Sequence, residues 1–353
     1  MKIFALFDEL LRLRGSDLHL GVGYPPLARI KGDLAPLRAE AITTDEMDRL
    51  LFEITTSAQR DQVLADKDLD FAYSYGEKAR FRANYFFKSS GLAAVFRAVP
   101  TEILTLEQLG CPAIVRKLAE RRSGLVLVTG PTGSGKSTTL AAMIRHINQT
   151  RACHILTIED PVEFVHRPLK AQVTHREVGP DAGSFASAIR SAGREDPDVI
   201  LIGELRDNET MKLSLQLASF GVLVFATVHT NSAPATIDRV VNAFGAEEQP
   251  QVRGMLAESL VGVVAQQLMK RADGQGRVAA QEVLVATSGL AAMIRDNKTF
   301  QIPSLMQASQ GVGMQTMDMA LERLVLQRLI SFEVGLEKAS DKDAFEKRVR
   351  ANA

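Results

Sequence analysis

The 353-residue sequence predicts an α/β protein: a small α+β domain, a larger domain built on a mostly parallel sheet, and a helical tail. Three observations carry that expectation. Four apolar, β-branched runs (Leu125–Val128, Ile155–Ile158, Val199–Ile202 and Val222–Ala226) alternate with helical patterns, as expected of strands buried on both faces of a parallel sheet. A glycine-rich segment follows the first run and opens a helix. From about Ser288 onward the pattern is helical, with Leu321, Leu324, Val325 and Leu329 on one stripe.

The first hundred residues mix strand and helix signals. Phe4, Phe7, Leu10 and Leu11 recur at helical spacing until Gly15, predicting a short opening helix. Thr43, with Glu46 three residues on, forms a capping-box pattern before a second helix striped with Met47, Leu50, Leu51 and Ile54. Between Ala79 and Phe87 the period falls to two, with Phe81, Ala83, Tyr85 and Phe87 on one face and Arg80, Arg82 and Asn84 on the other. Ser89-Ser90-Gly91 turns the chain into a second strand, Leu92 to Val99, which carries Arg97 and ends at Pro100. Taken alone, these arginines read as solvent-facing charges. Gly110-Cys111-Pro112 breaks the chain before one helix containing Ile114, Val115 and Leu118. The expected divisions are an N-terminal domain at 1–100, a linker at 101–115, the sheet domain at 116–287 and a helical subdomain at 288–353.

Composition narrows the partners. The 42 basic and 42 acidic residues cancel, and they do so locally, with 14 of each in residues 1–100 and 28 of each beyond. Nucleic-acid binders carry a surplus of Lys and Arg to displace counterions from phosphates, so no nucleic-acid partner is expected. Cys111 and Cys153 match no metal-ligand spacing and predict two buried, reduced thiols in a cytoplasmic protein. The first apolar run is cut by Asp8 and Glu9, too early for a signal peptide, and no stretch reaches the roughly 18 apolar residues of a membrane span. Membrane association, if any, is expected through a partner and not by direct insertion.

The strongest chemical signal is Gly130-Pro131-Thr132-Gly133-Ser134-Gly135-Lys136-Ser137, which has P-loop spacing and runs into a helix at Thr138. Glycines let successive N–H groups face the phosphates, and the helix N-terminus adds its positive dipole end. In this pattern Lys136 reaches the β- and γ-phosphates of ATP and Ser137 places a hydroxyl on Mg²⁺. Hydrolysis also needs a carboxylate at a neighbouring strand end. The run Val199-Ile200-Leu201-Ile202-Gly203-Glu204 ends in Glu204, the only acid there, for the metal, the water or both. A second acidic cluster, Ile155-Leu156-Thr157-Ile158-Glu159-Asp160-Pro161-Val162-Glu163-Phe164, offers Glu163 and Glu159 on a loop at the carboxyl edge of the sheet. Thr227-Val228-His229-Thr230-Asn231 brings His229 to the same edge as a sensor of γ-phosphate or water.

Together these residues resemble a family, the type II/IV secretion ATPases, and within it the PilT-like type IV pilus retraction ATPases. The match runs through the P-loop at 130–139, an Asp box ILTIEDPVEF at 155–164, an atypical Walker B region REDPDVILIGELRD at 194–207 and a His box ATVHTNSA at 226–233. Ser16-Asp17-Leu18-His19-Leu20 resembles the opening of that family's PAS-like N-terminal domain, and Gly313-Met314-Gln315-Thr316-Met317-Asp318 a stretch near its C-terminus. The resemblance implies a RecA-like ATPase core in a hexameric homo-oligomer. It makes Arg80, Arg82 and Arg97 candidates for neutralising phosphate charge, acting on a neighbouring subunit's site. It also implies contact with an inner-membrane pilus platform protein, location at the inner face of the cytoplasmic membrane, and pilin disassembly as the output.

Two isolated cysteines cannot build the tetracysteine zinc motif usual in the extension ATPases of the superfamily. The chain also departs from the retraction pattern. Where that pattern reads AIRNLIRE, residues 289–296 read Gly-Leu-Ala-Ala-Met-Ile-Arg-Asp, with Ala291 in place of the first arginine. Ala218-Ser219-Phe220-Gly221-Val222 lacks the acid and histidine of the usual AETGH. These departures leave one alternative to a retraction motor, a non-retracting paralogue acting as an accessory ATP-binding subunit; a second, a nucleic-acid translocase, arises because RecA-like rings also move DNA or RNA, and the zero net charge argues against it.

Overall fold

A computed structural model of the chain describes residues 2–30, 32–76, 78–99 and 102–352. These fall into two compact units, the first ending at Glu102 and the second running from Ile103. Pro100, expected to end a strand, and the expected division between residues 100 and 101 lie outside the described residues.

The N-terminal unit contains α1 (Ile3–Arg12), β1 (Asp17–Gly21), β2 (Leu27–Ile30), β3 (Asp33–Pro36), α2 (Thr44–Phe52), α3 (Ser57–Asp66), β4 (Asp68–Tyr75), β5 (Ala79–Lys88) and β6 (Gly91–Val99). The six strands form one antiparallel sheet in the order β3-β2-β1-β6-β5-β4. The period-two signal runs through β5 and also through β4, where Leu69, Phe71, Tyr73 and Tyr75 alternate with Asp68, Asp70, Ala72 and Ser74, whereas β1 to β3 are four or five residues each. The alternation in β5 holds at Phe81, Ala83 and Tyr85, which are buried, while Phe87 at the strand end is exposed. The buried face of α1 is Ile3, Leu6, Phe7 and Leu10, rotated from the predicted stripe so that Phe4 and Leu11 lie on its flank. Phe7 sits at the centre, its ring stacked on Phe81 with centroids 4.2 Å apart and edge-on to Phe96 at 5.1 Å. Thr43 caps α2 by accepting from the Glu46 N–H, but the Glu46 carboxylate pairs with Arg38, so only half of the capping box forms.

The second unit continues with α4 (Ala113–Ala119), β7 (Gly124–Thr129), α5 (Lys136–Thr150), β8 (His154–Glu159), β9 (Gln172–Glu177), α6 (Phe185–Ala192), β10 (Val199–Ile202), α7 (Asn208–Ser219), β11 (Leu223–Val228), α8 (Ala233–Asn242), α9 (Gln249–Ser259), β12 (Leu260–Lys270) and β13 (Arg277–Val285). Its sheet has the order β13-β12-β7-β11-β10-β8-β9, parallel except for the antiparallel β12–β13 pair at one edge. β7 lies inside the sheet between β11 and β12, and its alternate residues feed two cores: Leu125 and Leu127 on one face, Val126 and Val128 on the other. That double burial is why the run is uninterrupted by polar residues.

The fourth predicted run is shifted. Val222 precedes it, and Thr227 and Val228, expected in the loop, continue the ladder because β7 offers partners as far as Thr129. The tail is α10 (Ser288–Arg295), α11 (Ile302–Ala308), α12 (Met317–Leu326), α13 (Phe332–Lys338) and α14 (Lys342–Asn352), with its own core around Leu321, Phe345 and Val349. Cys111 and Cys153 are free thiols but half-buried, not buried as predicted. Among the described residues, no helix is long and apolar enough to cross a membrane.

Candidate active site

The loop between β7 and α5 is shaped by what surrounds it. Gly130 has φ +145°, and a Cβ there would come within 2.4 Å of the Gln266 carbonyl and 2.5 Å of Ser134 Oγ. Gly135 has φ +89°, and its Cβ would meet Gln266 Nε2 at 3.1 Å. Both positions therefore require glycine. Lys136, 9% exposed, begins α5 and turns its ammonium back, donating to the carbonyls of Gly130 at 3.0 Å and Pro131 at 3.1 Å. Burial holds its pKa below the usual lysine value, with the Glu204 carboxylate pulling in the opposite direction. Ser134 Oγ is buried with no hydrogen-bond partner among the described residues. Pro131, Thr132 and Gly133 are exposed at the rim, and Ser137 and Thr138 are half-buried in the first helical turn.

A strained loop at a helix N-terminus, with a buried ammonium resting on loop carbonyls, has the chemistry of a phosphate cradle. Among the described residues, no group of three or more His, Cys, Asp or Glu side chains could hold a metal ion. A divalent cation would draw its ligands from the Ser137 hydroxyl, a carboxylate and substrate phosphates, a donor set that suits Mg²⁺.

Two strand ends bring acid and base beside this loop. Glu204 follows β10, where Gly203 donates to the Ile158 carbonyl at 2.8 Å and lets Glu159 approach closely. Glu204 Oε1 lies 3.2 Å from His229 Nε2, and Oε2 accepts from Arg206 Nε at 2.9 Å. His229 follows β11, so two predicted residues from separate motifs meet. On the Asp-box loop, Glu159 is buried and accepts the Glu163 N–H at 3.1 Å, while Glu177 accepts the Val162 N–H at 3.1 Å. Glu159 thus shapes the loop that presents Glu163, which is half-buried.

Other participants carry no motif. Thr129 Oγ1 at the end of β7 is 3.3 Å from Thr236 Oγ1, itself 2.7 Å from Thr230 Oγ1, tying the His-box loop to the P-loop strand. Gln266 reaches the P-loop from β12. His166 is buried against His175, which keeps its pKa down at about 3, first through burial and then through the second ring. The only sequence signal for Gln266 is the Gln266-Gln267 pair inside an otherwise apolar run.

Arg80, Arg82 and Arg97 belong to the N-terminal unit. Arg82 and Arg97 face each other in the β5–β6 register, and Arg97 faces Asp17 in β1–β6. Arg97 Nε donates to Asp17 Oδ1 at 2.8 Å while most of the arginine side chain stays exposed. Arg80 is half-buried and Arg82 exposed.

Comparison with known proteins fits this geometry. A profile of the family described as type II/IV secretion system protein matches residues 62–327. The chain is 47% identical over 345 residues to the type IV pilus retraction ATPase PilT of Pseudomonas aeruginosa, covering 98% of this chain and 100% of that protein. It is also 47% identical over 319 residues to a twitching motility protein of Neisseria gonorrhoeae, covering 90% of this chain and 85% of that one. Among solved structures, the pilus retraction motor PilT with bound ADP superposes with a TM-score of 0.92 at 42% identity, over 98% of this chain and 99% of that one. The ATPase DotB of Legionella pneumophila superposes with a TM-score of 0.82 at 26% identity, over 100% of this chain and 97% of that one.

Proposed function

Because the chain belongs to the type II/IV secretion system protein family, we propose that it is an ATP-hydrolysing motor that retracts type IV pili. The observation that carries the reading is the P-loop itself, where the Lys136 ammonium rests on the carbonyls of Gly130 and Pro131 beside the Glu204 carboxylate. Lys136 exchanges those carbonyls for phosphate oxygens when ATP enters, and the loop N–H groups from Thr132 to Thr138 surround the phosphates. Mg²⁺, when bound, neutralises charge on the phosphoryl oxygens. Ser137 and Glu204 would hold it, and Glu204 or Glu163 would orient the attacking water. His229, in contact with Glu204, reports on the γ-phosphate through that carboxylate.

Arg80, Arg82 and Arg97 supply positive charge to a nucleotide held by a neighbouring subunit. The motor is a hexameric homo-oligomer at the inner face of the cytoplasmic membrane, and turnover drives pilin disassembly through an inner-membrane platform protein. The near-complete match in length to the PilT of Pseudomonas aeruginosa supports this output. Purified Lys136→Ala protein is expected to lose ATP hydrolysis, and full hydrolysis would overturn the site. Deletion of the gene is expected to abolish twitching motility and raise pilus number; unchanged motility would overturn retraction while leaving the ATPase intact.

One observation favours a second reading. The segment 289–296 lacks the first arginine of the retraction pattern, Ala291 standing in its place on α10. An accessory subunit that binds ATP without turnover would hold nucleotide but release no phosphate, which a phosphate-release assay on the purified chain decides.

A further inference from the structure

The buried glutamine on β12 touches the loop at more points than any role in strand packing requires. Gln266 is 1% exposed, and its Nε2 donates to the Ser134 carbonyl at 2.6 Å. Its Oε1 accepts from Thr139 Oγ1 at 2.9 Å and from Gln281 Nε2 at 3.3 Å. These partners fix the amide orientation, because reversing it would set an oxygen against the Ser134 carbonyl and the NH₂ against the Gln281 NH₂. The Gln266 backbone carbonyl and side-chain nitrogen are also the atoms that forbid a Cβ at Gly130 and Gly135.

A trans peptide is planar with its C=O and N–H pointing opposite ways. Tying the Ser134 carbonyl to Gln266 therefore aims the Gly135 N–H away from β12 and into the loop, where a phosphate would lie. Thr139, one turn into α5, is held by the same side chain, so loop and helix are set relative to each other by one amide. Gln281, the cross-strand partner of Gln266, has its own carbonyl held by Gln315 Nε2, and Gln315 Oε1 accepts from Arg323 Nη1 at 3.1 Å. The chain of contacts thus runs from the phosphate loop to α12.

We infer that Gln266 is a positioning residue for nucleotide, acting through Ser134 and Gly135, and that Gln281 sets its orientation. This rests on the ATPase reading above. The test uses the full-length chain, with nucleotide Kd measured by a fluorescent ATP analogue and KM and kcat by phosphate release. Gln266→Glu keeps length and an oxygen facing Thr139 but removes the donor to Ser134. It is expected to raise Kd and KM by about tenfold or more, through the lost hydrogen bond and the oxygen now set against the Ser134 carbonyl, with kcat much less affected. Gln281→Met leaves Gln266 in place and is expected to raise both by about threefold through lost orientation. It also decides the matter if Gln266→Glu does not fold. Wild-type Kd and KM in Gln281→Met, or a folded Gln266→Glu whose loss is absent or confined to kcat, would overturn the inference. Failure of the wild-type chain to bind nucleotide would instead overturn the ATPase reading.

Discussion

His229 Nε2 lies 3.2 Å from Glu204 Oε1, although the two residues come from the ends of different strands, β11 and β10. Parallel neighbours in one sheet deliver their carboxyl ends to the same edge, so motifs distant in sequence converge there. Arg206 holds the other carboxylate oxygen at 2.9 Å, which leaves the Glu204 side chain fixed from two directions.

That geometry predicts coupled effects on hydrolysis. On the proposed role of Glu204 at the metal and the water, Glu204→Gln should lower kcat by roughly 10²–10⁴. His229→Ala should cost less. If His229 acts through the carboxylate, as proposed, the double variant should be no worse than Glu204→Gln alone. Steady-state phosphate release with parallel nucleotide-binding measurements tests this, and strictly additive losses would assign His229 an independent role.

Two glycines predict opposite outcomes. Gly130→Ala places a methyl 2.4 Å from the Gln266 carbonyl at φ +145°, and should lower stability by about 2 kcal/mol or more and weaken nucleotide binding. Gly254 lies inside α9 with nothing within 4 Å of an added Cβ, so Gly254→Ala should stabilise by roughly 0.5–1 kcal/mol. Thermal melting of the two variants checks both signs.

Much of this arrangement is legible from local chemistry. The four apolar runs mark strands because β7, β8, β10 and β11 are buried on both faces, and the P-loop glycines announce themselves because their backbone conformations exclude other residues. The hidden parts depend on tertiary partners. β9 is mostly half-buried at the sheet edge and mixes polar and apolar residues, so nothing in its period separates it from a loop. Gln266 gains its meaning only when β12 is laid beside β7, which brings Ala265 opposite Thr129. The Arg82–Arg97–Asp17 row is likewise a product of register across three strands, invisible to any one of them.

Glu282 predicts a structural cost at the join between the His-box helix and the tail. It is buried on β13, and its two oxygens accept the Ala233 N–H at 2.6 Å and the Met317 N–H at 3.1 Å, the first residues of α8 and α12. Burial pushes its pKa above the usual carboxylate value despite both donors. Glu282→Ala would strand two buried N–H groups and should cost about 2–4 kcal/mol in chemical denaturation. A neutral result would mean that the two helix ends find other partners.

The last prediction concerns pH and the arginine row of the N-terminal unit. Burial works to raise the Asp17 pKa, but the hydrogen bonds from Ser16 and Arg97, with the Arg97 charge, outweigh it and hold the carboxyl below its ordinary 3.8. A carboxyl depressed in the folded state stabilises the fold above its unfolded value and loses that contribution as pH falls through the folded one. Asp17→Asn should therefore be less stable than wild type at pH 7, by roughly 1 kcal/mol given the exposure of Arg97, and the gap should close as pH falls below 3.8. The loss also removes the carboxylate that pairs with Arg97, which faces Arg82 across the β5–β6 register. Added salt should consequently recover part of the lost stability in the variant. Urea unfolding of both proteins from pH 7 to pH 3, at low and high salt, measures these differences. A gap that stays constant across that range would show that the Asp17 charge contributes nothing and that only its hydrogen bonds matter.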